Sequence, residues 1–220
     1  MHDKFNYYDL LSMLVPGTLL VGSVPFLFPS ITSPASHVGI PDAFVVVVLT
    51  AVAVFLGQAV QAVASLVEPV LYWTWRGRPS DRALENGIPR YLPADAAKRI
   101  RRKLQQWVGS DATNHALFLF AMQQADGADV GRARRFNSLY AYHRGLVVLL
   151  VILMVMLSLS AKWGRAAAWD WGTQLASFAA LALLVLLMWH RARQRANYYV
   201  REVLHIAERL YEEWKGAEHG

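Results

Sequence analysis

Residues 43–67 read AFVVVVLTAVAVFLGQAVQAVASLV, a run of 25 positions without one charged side chain. A helix needs about 20 predominantly apolar residues, within a range of roughly 17–25, to cross a hydrocarbon core about 30 Å thick. The apolar residues are clustered rather than spaced at helical intervals, so the segment has no polar face to turn towards water. Lipid is the solvent that such a segment implies.

Three further stretches extend the pattern outward: about 8–28, 144–162 and 172–189. The third is short at its apolar centre, 146–161, and gains length by reaching back towards Tyr140 and on to Trp163. Trp and Tyr favour the headgroup region, and they stand where spans should end: Tyr7, Tyr8, Trp73, Trp75, Tyr142, Trp163, Trp171 and Trp189. The residues before the first span are weakly basic and no small-x-small cleavage site follows before Pro29, so it reads as a retained span rather than a signal peptide. Composition agrees. Hydrophobic residues make up 55% of the chain and charged residues 17%, against roughly 25% charged in soluble domains.

Orientation follows from the bases. Lys4 precedes span one, thirteen Lys and Arg lie between 76 and 144, and six lie between 191 and 215. The loop 29–42 has none and the loop 162–170 has only Lys162 and Arg165. The positive-inside rule puts both termini and the central insertion in the cytoplasm. The expected organisation is a transmembrane hairpin over 1–75, a basic helical insertion over 76–143, a second hairpin over 144–189, and a C-terminal helix over 190–220. The fold class expected is all-α, a four-transmembrane-helix bundle with a cytoplasmic helical domain.

Local signals refine this. Pro16 removes a backbone donor inside span one and predicts a kink at Pro16-Gly17. The freed carbonyl needs a neighbour, because lipid donates no hydrogen bonds. Asp9 at the start of that span reads as a helix cap. If span two runs on past Pro69 to Trp75, it exceeds the hydrocarbon thickness. Within the insertion, 93–108 predicts a helix whose apolar stripe is Ala96, Ile100, Leu104 and Trp107. Asp111 reads as the cap of a second helix, and a third begins near Val130 and enters span three unbroken. Val200, Val203, Ala207, Leu210 and Trp214 form a short heptad seam, which packing against the insertion explains as well as a coiled coil does.

Candidate functional residues are mostly cationic. Lys98, Arg99, Arg101, Arg102 and Lys103 suit a nucleotide, a nucleic acid or another anionic partner. The commoner role of such a helix is contact with anionic headgroups, at about 1 kcal/mol per base. Arg132, Arg134 and Arg135 form a second cluster with the same two readings, a ligand pocket or an anchor that fixes topology. Gln58 and Gln61 share one face of span two and read as interhelical glue or as pore lining. Glu68, near the interface, is expected to pair with a base.

Catalysis has little to stand on. No span carries a central Asp, Glu or His for a proton relay. HExxH, GxSxG and Walker sequences are missing, and the Arg–His pairs 201/205 and 135/143 do not match the spacing of HEPN ribonucleases. With no cysteine in the chain, disulfides and thiolate sites are excluded. The expectation is a non-enzyme without metal or cofactor, working by association as a homo-oligomer.

The string Phe5-Asn6-Tyr7-Tyr8-Asp9-Leu10-Leu11, followed by Pro16-Gly17, resembles the opening of a loose group of small bacterial membrane proteins. The segment from Arg135-Phe136-Asn137 through Arg144 resembles the approach to their third span. The resemblance covers about a quarter of the chain. It implies an inner-membrane location and, because some such proteins accompany nuclease or CRISPR systems, a membrane effector in phage defence. The leading expectation is an oligomeric effector or pore-forming component controlled through the cytoplasmic domain; the alternative is a membrane anchor recruiting a cytoplasmic protein or nucleic-acid complex.

The charge asymmetry makes the topology testable. Cytoplasmic reporters fused at residue 110 or after residue 220 should be active, and a periplasmic reporter should be active at residue 36. Periplasmic activity at residue 110 overturns the arrangement.

Overall fold

The computed structural model describes residues 7–32, 42–128 and 131–218. Among them the secondary structure is helical without a strand. Four helices are long and apolar enough to cross a membrane: α1 (Tyr7–Leu27), α3 (Asp42–Leu66), α8 (Gly131–Trp163) and α9 (Trp171–Glu218). Shorter helices are α2 (Pro29–Thr32), α4 (Glu68–Thr74), α5 (Pro79–Asn86), α6 (Ala94–Val108) and α7 (Asn114–Gly127), with a 3₁₀ turn at Arg165–Ala168. The chain divides into two compact units, one of Met1–Val67 with Ala141–Ala192, the other of Glu68–Tyr140 with Arg193–Gly220.

The first unit is built on the contact of α1 with α3. Gly17 lies against the Ala53 carbonyl and Gly57 against the backbone of Met13. A Cβ on either glycine would overlap carbonyl atoms across the contact. Small residues let helix backbones approach closely, so dispersion between the backbones replaces side-chain packing. Leu20, Val60, Ala64, Val148 and Leu149 close a small core of α1, α3 and α8. At the other end of α1, the fully buried Ser160 hydroxyl donates to the Leu27 carbonyl (2.9 Å) and accepts from the Ala166 N–H (3.1 Å). Asp170 then caps α9, accepting from the hydroxyl and the N–H of Thr173 at 2.6 and 3.0 Å. Those bonds hold its carboxyl below the usual range.

The second unit has a larger core, in which Ile100, Leu104, Leu117, Ala121, Val203 and Leu204 are all buried. Pro79 opens α5, where the lost N–H would have had no helical partner. Gly87 ends it at φ +74, a conformation in which a Cβ would strike the Leu92 carbonyl. The heptad seam of α9 lies in this core, with Val200, Val203 and Ala207 buried. Packing against the insertion, rather than a second coiled-coil strand, accounts for that pattern.

Several local expectations are corrected. Helix α3 stops at Leu66 and α4 restarts at Glu68, because Pro69 has no N–H to bond the Ser65 carbonyl. Thr113, not Asp111, caps α7: its hydroxyl accepts from the Ala116 N–H at 3.2 Å. Trp75, expected as an interface ring, is 1% exposed and packs on Tyr72 and Tyr140. The stripe of α6 runs through Ala97, with Ala96 only at its edge. Helix α1 begins at Tyr7, ahead of Asp9, and the capping role of the Asp9 side chain lies outside the described residues, as do Lys4 and residues 33–41.

The α1–α3 contact predicts a sharp difference between two glycines. Gly57→Ala should destabilise the protein in detergent by about 1–3 kcal/mol, the usual cost of overpacking. Gly22→Ala, whose added Cβ meets nothing within 4 Å, should be neutral or slightly stabilising. Equal melting temperatures for the two variants would contradict the close approach.

Candidate functional site

Pro16 cannot bond the carbonyl four residues back, which belongs to Ser12. The Gln61 amide of α3 donates to that oxygen at 2.9 Å. The bond is local to a polar seam. Ser65 donates to the Gln61 carbonyl (3.1 Å), and Arg144 of α8 donates to the Ser65 hydroxyl (3.0 Å). Gly145 lies against the Gln61 amide, with no room there for a Cβ. The seam thus ties α1, α3 and α8 together through one glutamine, and a lumen-facing role for Gln61 does not fit it. Gln58 differs. It is exposed, and its amide donates to the Met13 sulfur at 2.8 Å, a weak acceptor.

The basic run on α6 is divided by its neighbours. Arg99 donates through Nε to Glu208 at 2.8 Å, and Lys103 reaches the same oxygen at 2.9 Å and also pairs with Glu212. Burial pushes the Glu208 carboxyl up, but the hydrogen bonds from Arg99 and Lys103 outweigh it and hold the group below its ordinary value. Both bases are stabilised in their charged form by the same contacts. Lys98 and Arg102 are exposed, and Arg101 is half-buried with its Nε making no hydrogen bond. The apolar stripe between these groups is already covered by the core. In this unit Ala97, Ile100 and Leu104 of that face are buried in protein, while Trp107 at its end is half-buried.

In the second cluster, Arg132 approaches Glu202 at 3.7 Å, a long ion pair at an exposed site. Arg134 and Arg135 are also exposed on the first turns of α8. His143 packs edge-on to Tyr142 at 5.4 Å. Arg99 and Lys103 of the first cluster face Glu208 and Glu212, whereas Arg132 of the second approaches Glu202.

One constellation was not read from the sequence. Glu68, at the start of α4, accepts at one oxygen from the hydroxyls of Tyr72 and Tyr140, each at 2.6 Å. Arg82 donates to the Trp75 carbonyl at 2.8 Å beside it. The i, i+4 spacing of Glu68 and Tyr72 was available as a signal; nothing local announces Tyr140. The arrangement holds α4 on α8 through a carboxyl oxygen that accepts from both hydroxyls, where an unbonded carboxyl would be costly.

No family model matches the chain, no curated protein matches its sequence, and no solved structure matches its fold.

Glu208 provides a pH test. A carboxyl whose folded pKa is depressed contributes stability that is present above its unfolded value and is lost as pH falls through the folded value. Glu208→Gln should lower the melting temperature by a few degrees at neutral pH. The difference from the parent chain should close once pH falls below the usual carboxylate range. A gap that stays constant down to pH 3 would show that the ion pairs contribute nothing.

Proposed function

We propose that this protein is a non-enzymatic, multi-pass protein of the bacterial inner membrane that acts as an oligomeric effector or pore-forming component. Its termini and the Glu68–Tyr140/Arg193–Gly220 unit are cytoplasmic, and that unit receives the controlling signal. The observation that carries the reading is on α3. Every residue from 42 to 52 is exposed, and further along the same helix stands the exposed Gln58 amide with only a thioether for a partner. An amide in hydrocarbon seeks a partner on another helix, for about 0.6–2 kcal/mol. A second copy of the chain supplies one, and a polar path in this reading forms between copies rather than within one.

The signal is anionic. Lys98, Arg102 and the Nε of Arg101 remain for a nucleotide, a nucleic acid or an acidic protein after Glu208 has taken Arg99 and Lys103. The likeness of the N-terminal box and Pro16-Gly17 to small bacterial membrane effectors supports phage defence as the setting. The anchor reading is favoured by one observation, that the Gln61 amide is engaged within the bundle. In that case assembly at α3 serves recruitment, without conduction.

Two glutamine variants separate the roles. Gln58→Leu should reduce the oligomer seen by light scattering in detergent while leaving the melting temperature nearly unchanged. Gln61→Leu should leave the oligomer intact but cost about 1–3 kcal/mol, because the Ser12 carbonyl loses its donor. Dye release from vesicles should follow the oligomer. An assembled protein that never releases dye establishes the anchor, and unchanged size in Gln58→Leu removes α3 as the contact.

A further inference from the structure

The first unit contains a groove of about 210 Å³ between α1, α8 and α9. Its walls include Phe26, Leu27, Leu153, Leu157, Trp169 and Leu181. Two hydroxyls reach it, and both are occupied. Ser23 donates to the Leu20 carbonyl (2.9 Å) and Ser177 to the Thr173 carbonyl (2.8 Å). The wall therefore makes no polar demand, and hydrocarbon satisfies it.

The rim is different in character. Phe26 and Trp169 stand there with ring centroids 6.4 Å apart. The guanidinium of Arg165 lies 5.1 Å from the Phe26 centroid. Arg165 is exposed and makes no ion pair among the described residues; the neighbouring acid, Asp170, is occupied as the cap of α9. Lys162, over the Trp163 ring at 4.4 Å, adds a second cation at this end. Exposed Trp163 and Trp171 flank the turn, and indoles settle at headgroup depth. Arg165 and Lys162 are also the two bases that stand against the positive-inside asymmetry of the chain, so their presence here calls for a local reason.

We propose that this groove is a binding site for one anionic phospholipid of the outer leaflet. An acyl chain lies along Leu153, Leu157 and Leu181, and Arg165 holds the headgroup phosphate. A guanidinium supplies two parallel donors to phosphate oxygens, which an ammonium does not. Its stacking on Phe26 fixes the fork at the groove mouth, so the ordering cost falls before the lipid arrives. A zwitterionic lipid has the same chain but a cationic headgroup group beside Arg165, and it binds more weakly. The inference rests on the membrane reading above.

The test uses the full chain, extracted in mild detergent and exchanged with phosphatidylglycerol or phosphatidylcholine, with bound lipid counted by native mass spectrometry. One phosphatidylglycerol should be retained in preference to phosphatidylcholine. Arg165→Gln should weaken that retention about tenfold, as expected for a charge-assisted hydrogen bond pair. Arg165→Lys should recover part of it, and Ser177→Phe, which fills the groove, should abolish binding of either lipid. Equal retention of the two lipids by the parent chain, or equal retention of phosphatidylglycerol by the parent and Arg165→Gln, overturns the site. A carbonate wash of the starting membranes keeps the two failures apart. Protein released by carbonate refutes the membrane reading itself, whereas protein that resists the wash but shows no lipid preference refutes only the lipid site.

Discussion

The missing N–H of Pro16 sets the terms for the first unit. A proline inside a helix leaves a carbonyl without its donor, and a buried carbonyl without a donor costs on the order of 1–3 kcal/mol. The Gln61 amide removes that cost at 2.9 Å from the Ser12 oxygen. The bond requires α1 and α3 to lie almost backbone to backbone. Gly17 and Gly57 allow it, since neither has a Cβ to hold the helices apart. Gly145 then admits α8 to the same amide, and Ser65 and Arg144 extend the seam. Three glycines, a proline and a glutamine form one constraint, and each is explained by the others.

The second unit is organised by charge as well as by its core. Glu208 stands between Arg99 and Lys103, so the basic helix is anchored to α9 on one flank and free on the other. The Tyr211 hydroxyl donates to Gln106 at 2.6 Å, and Trp107 stacks on Trp214, carrying the same contact to the end of α6. A run of like charges that looks uniform in sequence thus contains two populations. One, Arg99 and Lys103, pairs with acids of α9, and the other, Lys98 and Arg102, is exposed.

The expectations that failed did so for physical reasons. Asp111 and Thr113 are both good caps, and the choice between them depends on where the chain turns after Gly109, which no local rule specifies. Trp75 was placed at an interface because indole favours headgroups, but Tyr72 and Tyr140 enclose it first. Ala96 and Ala97 are one residue apart, and a helix rotated by that much presents the other.

The helix class, the four segments long and apolar enough to cross a membrane, and the charge asymmetry were legible in the sequence, because each depends on the composition of a contiguous segment. The uninterrupted run at 43–67 allows one kind of element, and the pairing of Pro16 with an unknown donor was already implied. What only the tertiary structure decided is which partner answers each demand. Gln58 and Gln61 stand one turn apart with the same chemistry, yet only Gln61 meets the Ser12 carbonyl. Glu68 is bonded by a tyrosine 72 residues away, and Arg99 by a glutamate 109 residues away. Those choices depend on distances between helices, and such distances come from the packing of the whole chain rather than from any stretch of it.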